Sequence, residues 1–358
     1  METGMDAGKK IRLLVIDDSA TVRAILCREL ARDERFEVIG YARDGQDGVE
    51  KVAALRPDVI TLDVEMPRLN GLEALERIMR DTPTRVVMVS SLTSAGAAAT
   101  MKALDLGAVD FIAKPVNGGV GTVHGVIDEL REKIAHAATA RLHRSHLRTA
   151  SSLPIAPLGT QWADRVVVIG SSTGGPQALR AVLTALPADL NVPVLIVQHM
   201  PPGFTRALAD RLNELGPLAV KEARPGSHVE RGTVLIAPGG FHMAVRTGGL
   251  IELTQTPSEC GVRPAANVLM ESAAAVYGAA TVGVVLTGMG KDGTRGAGLI
   301  KEAGGEVIAE DESTCVVYGM PRSVAEAGYV DHVAPLDKVA GAIVHACRAR
   351  AGRLERAV

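Results

Sequence analysis

The chain has 358 residues, 47% of them hydrophobic, enough for two domains of ordinary size that each bury a core. With 39 basic and 41 acidic residues and a formal net charge of -2, it carries no strong field to hold nucleic acid or an anionic membrane. Gly is abundant (38 residues) and aromatics make up 3%, a balance that suits α/β folds with tight strand-to-helix turns and excludes a sandwich that leans on aromatics.

The N-terminal residues lack the apolar segment of a signal peptide, and no uninterrupted apolar run reaches membrane-spanning length. The expected location is therefore the cytoplasm, without membrane insertion. Cys27, Cys260, Cys315 and Cys347 are scattered with no C-x-x-C pair, so neither a disulfide framework nor a zinc site is expected.

Residues 11–16 form a short apolar run that predicts a buried strand, and residues 20–31 show a helical pattern. Further strands are predicted at 37–41, 58–62, 85–90 and 109–112, with helices at 71–80 and 96–106 and a closing helix at 126–140. Runs this apolar do not suit a one-sided sheet, so the alternation predicts a parallel sheet covered on both faces. Periodicity then stops, and residues 141–163, with His143 and His146, are expected to be a linker.

The alternation restarts at Arg165. Strands are predicted at 166–169, 194–198, 233–237 and 281–286, and helices at 176–186, 204–215, 265–277 and 296–303. The fold class is thus α/β, with two doubly wound parallel-sheet domains at 10–140 and 164–350. The two halves share an architecture but no motif.

Asp17 and Asp18 follow the first strand, Asp63 the third, and Lys114 the fifth. In a parallel sheet these strand ends open onto one edge, where α/β ligand sites form. Three clustered carboxylates repel one another, and a hard divalent cation such as Mg²⁺ resolves that. Asp63 is the natural nucleophile for an acyl phosphate. Lys114 can pair with a phosphoryl oxygen, and Ser90, ending the fourth strand, can donate a hydroxyl hydrogen bond to it.

In the second half, Gly170-Ser171-Ser172-Thr173-Gly174 fits G-x-S-x-G between a predicted strand and a predicted helix, the context a serine nucleophile requires. A phosphate-cradling turn is the competing use of such a loop, but G-x-G-x-x-G is absent, because Gly174-Gly175 runs into Pro176. For the base, His199 directly follows the strand at 194–198; His242, further along a loop, is its rival. Asp292, in the Gly-rich loop after the strand at 281–286, can orient the imidazole. The order Ser, His, Asp differs from the Ser, Asp/Glu, His order of α/β-hydrolases.

Val15-Ile16-Asp17-Asp18-Ser19, Leu62-Asp63-Val64-Glu65-Met66-Pro67 and Phe111-Ile112-Ala113-Lys114-Pro115 together resemble a response-regulator receiver domain across residues 10–140. That resemblance implies a flavodoxin-like fold, phosphorylation on Asp63, and Mg²⁺ held by Asp17, Asp18, Asp63 and the backbone of Glu65. It also implies switch roles for Ser90, Phe111 and Lys114, and a cis Lys114–Pro115 peptide.

Gly170-Ser171-Ser172-Thr173-Gly174-Gly175, Gln198-His199-Met200-Pro201, Ala237-Pro238-Gly239-Gly240-Phe241-His242-Met243 and Thr287-Gly288-Met289-Gly290-Lys291-Asp292-Gly293 resemble the CheB family of chemotaxis protein-glutamate methylesterases, over residues 165–340. The resemblance implies a Rossmann-like catalytic domain with Ser172 as nucleophile, His199 as general base and Asp292 as orienting acid. Thr173 and Met289 would line the oxyanion site. It implies demethylation of glutamate methyl esters and deamidation of particular glutamines on chemoreceptors, a histidine kinase as phosphodonor, and no cofactor in the esterase site. A receiver with a non-enzymatic output such as a transcription factor is disfavoured, because the second half has no helix-turn-helix pattern and is rich in strands. A hydrolase of small esters is the other alternative.

Overall fold

The computed structural model describes residues 9–114, 120–140 and 164–349. The expected 141–163 linker, with its two histidines, and Pro115 of the expected cis peptide lie outside the described residues. The chain divides into two compact units, Met1–His146 and Leu147–Val358.

In the first unit β1 (Ile11–Ile16), α1 (Ala20–Ala31), β2 (Phe36–Ala42), α2 (Gly45–Leu55), β3 (Val59–Asp63), α3 (Gly71–Asp81), β4 (Arg85–Ser90), α4 (Ser94–Asp105), β5 (Asp110–Ala113) and α5 (Val120–Thr139) alternate. The five strands pair in parallel in the order β2-β1-β3-β4-β5, the flavodoxin-like order. Leu13, Leu14, Val15, Ile60 and Leu62 are fully buried, because α1 with α5 covers one face and α2, α3 and α4 the other. Side-chain caps start the helices next to the strand ends. Ser19 accepts from Val22 N, and Asn70 forms a reciprocal box with Glu73.

Three features of this unit depart from the sequence pattern. Helix α2 is absent from the expected elements, and Asp44 caps its start by accepting from Asp47 N. Helix α5 begins six residues before the expected 126, in a stretch containing Gly121, Thr122, Val123 and Gly125, all weak helix formers. Asp63 is the last residue of β3, one place earlier than a position past its end.

In the second unit β6 (Val166–Ser171), α6 (Gly175–Ala185), β7 (Val194–Gln198), α7 (Phe204–Leu215), β8 (Ala219–Glu222) and β9 (Thr233–Ile236) come first. An antiparallel hairpin, β10 (His242–Arg246) and β11 (Leu250–Thr254), follows. Then come α8 (Ala266–Tyr277), β12 (Thr281–Val285), α9 (Thr294–Glu302), β13 (Glu306–Glu310), α10 (Met320–Glu326), β14 (His332–Ala334) and α11 (Leu336–Ala349). Seven strands form one parallel sheet in the order β14-β13-β12-β6-β7-β9-β8. Helices α6, α7 and α11 lie on one face and α8, α9 and α10 on the other. Both units are therefore doubly wound parallel-sheet domains, the expected fold class.

The strand order reverses at β6. The chain moves from β6 to β7 on one side and returns later to place β12 on the other. A crevice forms at such a reversal, outside the carboxyl ends of the strands. The apolar core beneath it includes Val168, Leu195, Val197, Leu269, Met270 and Val285. Among the described residues no helix is long and apolar enough to cross a membrane.

Candidate active site

The predicted serine and histidine are brought together by strand register. Ser171 pairs with Gln198 across β6 and β7, so the next residues, Ser172 and His199, emerge side by side. The backbone amide of His199 donates to Ser171 O at 3.1 Å. The buried Gln198 side chain locks the pair further. Its Oε1 accepts from Ser171 Oγ at 2.7 Å, and its Nε2 donates to the carbonyls of Ser172 (2.9 Å) and His199 (3.2 Å).

The chain then turns through Gly174, whose φ of +77° is left-handed. A Cβ there would also lie 2.5 Å from Val316 Cβ, so only glycine fits. Pro176 sits in the first turn of α6, where its missing N–H costs nothing. Gly175 N and Gln198 Nε2 both donate to Ser172 O. Because a trans peptide sets its N–H opposite its C=O, the Thr173 N–H points away from both donors. The Ser172 N–H is taken by Thr287 O at 3.0 Å.

Asp292 reaches the same edge from the loop after β12, the other neighbour of β6. Its Oδ2 lies 2.8 Å from His199 Nε2 and accepts from Ala266 N at 2.5 Å. Its Oδ1 accepts from the amides of Asn267 and Gly293, each at 2.9 Å. Asp292 is 2% exposed. Burial works against its charge, but the His199 hydrogen bond and the Asn267 and Ala266 amides outweigh it, holding the carboxyl below its ordinary value. Those amides are the first donors of α8, so the helix N-terminus adds its own positive field. Glu259 and Cys260 also bring ligand atoms within 4.8 Å of Asp292, but both Asp292 oxygens are already committed to these bonds.

With an ionised Asp292 on Nε2, the proton sits on Nε2 and Nδ1 is left as the basic nitrogen. Among the described residues no hydrogen bond joins the Ser172 hydroxyl to the imidazole; the serine stands at the adjacent strand end. Catalytic contacts of this kind tighten when substrate binds. Met289, half-buried, has a backbone N–H without a partner among the described residues. It follows Gly288, where an added Cβ would lie 2.8 Å from Ser172 Cβ and 2.5 Å from Met320 Sδ. The loop can run this close to Ser172 only because residue 288 has no side chain.

His242, the rival base, is engaged elsewhere. It is buried, its Nδ1 accepts from Ala265 N at 3.2 Å, and its Nε2 faces Pro257 O at 3.1 Å. That arrangement requires a neutral ring protonated on Nε2 and supports the turn leading into α8.

The first unit carries its own polar edge. Asp17, Asp18 and Asp63 place carboxylate oxygens within 4.8 Å of one another, with Asp17 and Asp63 buried and Asp18 exposed. Lys114 Nζ lies 2.7 Å from Asp63 Oδ2 and 3.2 Å from Asp17 Oδ2. Burial pushes the Asp63 carboxyl up to about 6, against the downward pull of Lys114. Asp17 Oδ1 accepts from Ser19 N, while its buried Oδ2 has the Lys114 ammonium as its ionic partner. The Ser90 hydroxyl donates to Gly96 O at 3.1 Å. Phe111 is buried, and Lys133 Nζ donates to its carbonyl at 2.6 Å while lying 5.2 Å from its ring centroid. Glu65 donates its amide to Asp63 Oδ1 at 3.4 Å.

Residues 167–343 match the family described as CheB methylesterase, and residues 13–120 match the response regulator receiver domain. A protein-glutamate methylesterase/protein-glutamine glutaminase of Symbiobacterium thermophilum is 50% identical, over 94% of this chain and 97% of that protein. The chain belongs to the CheB methylesterase family. A CheB relative of the same name in Geobacillus kaustophilus is 49% identical, over 94% of this chain and 98% of that protein. The crystal structure of the Thermotoga maritima CheB methylesterase catalytic domain is also similar. It covers 51% of this chain and 98% of its own, with 47% identity and a TM-score of 0.50.

For a CheB-family receiver, the acidic edge fits a hard divalent cation. The donor set is all oxygen, and three mutually repelling carboxylates converge there, with Lys114 paired to two of them. What sequence reasoning missed in this CheB chain is the second layer, namely Ser171, Gln198, Thr287 and the α8 amides. The only signal for the first two is a polar residue ending an otherwise apolar strand. Nothing local identifies the amides of Ala266 and Asn267.

Proposed function

We propose that this chain is a phosphorylation-controlled serine esterase that demethylates glutamate methyl esters of chemoreceptors and deamidates particular receptor glutamines. The observation that carries the reading is the His199–Asp292 pair, 2.8 Å apart, next to Ser172 on neighbouring strand ends, in a chain of this family. Ser172 Oγ attacks the γ-carbonyl carbon while His199 Nδ1 takes the hydroxyl proton. The carbonyl electrons move onto oxygen, and the oxyanion is met by the N–H groups of Thr173 and Met289. Losing one such donor costs roughly 10²–10³ in turnover. The tetrahedral species collapses, the C–O bond to the methyl ester breaks, and the imidazolium gives its proton to the departing methanol. Water, deprotonated by the same nitrogen, then releases the glutamate. A glutamine follows the same route with ammonia as leaving group.

Control lies in the receiver. Asp63 accepts a phosphoryl group from a histidine kinase, Lys114 pairs with a phosphoryl oxygen, and Ser90 and Phe111 respond. Asp17, Asp18, Asp63 and the Glu65 backbone would hold Mg²⁺, which when bound offsets the charge of the incoming phosphoryl group. The working location is the cytoplasm, where receptor tails and kinase meet. The test is methanol release from methylated receptor membranes, with and without a small phosphodonor, for wild type and Ser172→Ala. Release stimulated by the phosphodonor and abolished in Ser172→Ala is expected. Undiminished release by a folded Ser172→Ala protein overturns the reading, and preference for free small esters over methylated receptor overturns the substrate.

A further inference from the structure

The carboxyl edge of the catalytic sheet holds one buried acid that the chemistry above leaves unused. Glu310 ends β13, the parallel neighbour of β12, and is 0% exposed. No Lys, Arg or His pairs with it among the described residues. Its Oε2 accepts from the Thr287 amide at 2.8 Å and its Oε1 from Thr314 Oγ1 at 3.1 Å. A carboxyl group buried against neutral donors is costly to keep, and burial pushes its proton affinity up. Ordinary packing does not call for one.

The contacts of Thr287 supply a reason. Its carbonyl accepts the Ser172 N–H at 3.0 Å. Its hydroxyl donates to Thr173 O at 3.0 Å and accepts the Val317 N–H at 3.0 Å. One buried residue thus holds the peptide before Ser172 and the peptide after Thr173. The peptide between them, which carries the Thr173 N–H, is oriented from both ends. We propose that Glu310 is a positioning residue for ester hydrolysis: through Thr287 it sets the angle of the Ser172 hydroxyl and of the Thr173 N–H. This rests on Ser172 being the nucleophile.

Glutamine at 310 keeps the function. Its carbonyl accepts the Thr287 amide, and its NH₂ donates to Thr314 Oγ1, whose proton turns to Asp311 O, 3.2 Å away. Alanine at 310 leaves the Thr287 amide without an acceptor and lets the loop shift. Displacement by an ångström at a reacting centre costs on the order of 100-fold in rate.

The experiment measures kcat and KM for methylated receptor with full-length wild type, Glu310→Ala, Glu310→Gln, Thr287→Val and Ser172→Ala, alongside the unfolding midpoint of each. The expected result is a kcat about 10–100-fold lower for Glu310→Ala with KM unchanged, and kcat within about threefold of wild type for Glu310→Gln. Thr287→Val, which keeps the Glu310 contact and removes only the hydroxyl links, is expected to lower kcat about tenfold and decides the matter if Glu310→Ala does not fold. Wild-type kcat in Glu310→Ala or in Thr287→Val with only the midpoint lowered overturns the proposal, as does equal impairment of Ala and Gln at 310. Activity in Ser172→Ala would overturn the nucleophile assignment instead, so the two failures are distinct.

Discussion

His199 meets Asp292 through Nε2, not Nδ1, at 2.8 Å, and the same Asp292 oxygen accepts the first amide of α8. This inverts the usual use of the two imidazole nitrogens in serine hydrolases, where Nδ1 faces the acid. Chemically the roles are equivalent. The acid fixes the tautomer, and the opposite nitrogen does the proton transfer.

Replacing Asp292 by Asn removes the negative charge and offers an NH₂ to groups that are all donors. The expected result is a loss of roughly 10³–10⁴ in kcat with KM little changed. Because its hydrogen bonds hold the Asp292 carboxyl low, its contribution is in place above the ordinary carboxylate range. That contribution disappears only as pH falls below the ordinary carboxylate range and through the depressed value. Steady-state kinetics of Asp292→Asn at pH 7 check the first point; more than half of wild-type kcat would sink the orienting role. An activity loss between pH 7 and 5 in the wild type is assigned to other groups.

His242 supports the turn before α8 without touching the reacting atoms. Alanine there strands the buried Ala265 amide, at about 1–3 kcal/mol, and leaves the carbonyl of the exposed Pro257 to solvent. Asparagine keeps an acceptor near the Nδ1 position. Thermal unfolding is therefore expected to rank wild type above Asn and Asn above Ala. Hydrolysis by His242→Asn is expected to persist at a pH where His199→Asn is inactive. Equal loss of kcat in both Asn variants would make His242 the base after all.

Gly288→Ala puts a methyl group against Ser172 Cβ and N and Met320 Sδ, at 2.8, 3.0 and 2.5 Å. Overpacking of this kind costs about 1–3 kcal/mol, and here the strain falls on Ser172, the proposed nucleophile. A kcat reduced at least about tenfold is expected together with the stability loss. An alanine variant with normal kcat would mean the loop yields elsewhere.

In the receiver, Asp63 is raised to about 6, so its protonated form is favoured by the fold. The sign is that of a raised acid: the stability it contributes is complete below the unfolded value near 4 and is lost as pH rises through 6. Between pH 7 and pH 5 the wild type is expected to gain about 1 kcal/mol relative to Asp63→Asn. Urea unfolding of the two full-length proteins measures that difference, and parallel curves would remove the burial effect. Mg²⁺ affinity, followed by calorimetry, is expected to fall up to about tenfold per pH unit below 6, since a proton then competes for the same oxygen.

Local pattern was sufficient for the alternation of both units and for the boundaries of α1, β4, β7 and α7, which match the expected ranges. It also singled out Ser172, His199 and Asp292 in segments that follow apolar strands, and the structure brings His199 and Asp292 to 2.8 Å and sets Ser172 on the neighbouring strand end. The edge strands β8 and β14 were not legible. They are short and half-exposed, so they lack the apolar run that marks a buried strand. Strand β13 hides between two glutamates, and only its neighbours make the second one a buried residue. Which imidazole nitrogen faces the acid, which of two histidines is free to act, and what Gln198, Thr287 and Glu310 hold in place were decided by tertiary structure alone. Those are hydrogen bonds between residues from 23 to 114 positions apart. Their partners are chosen by sheet order and strand register, which no local window of sequence contains.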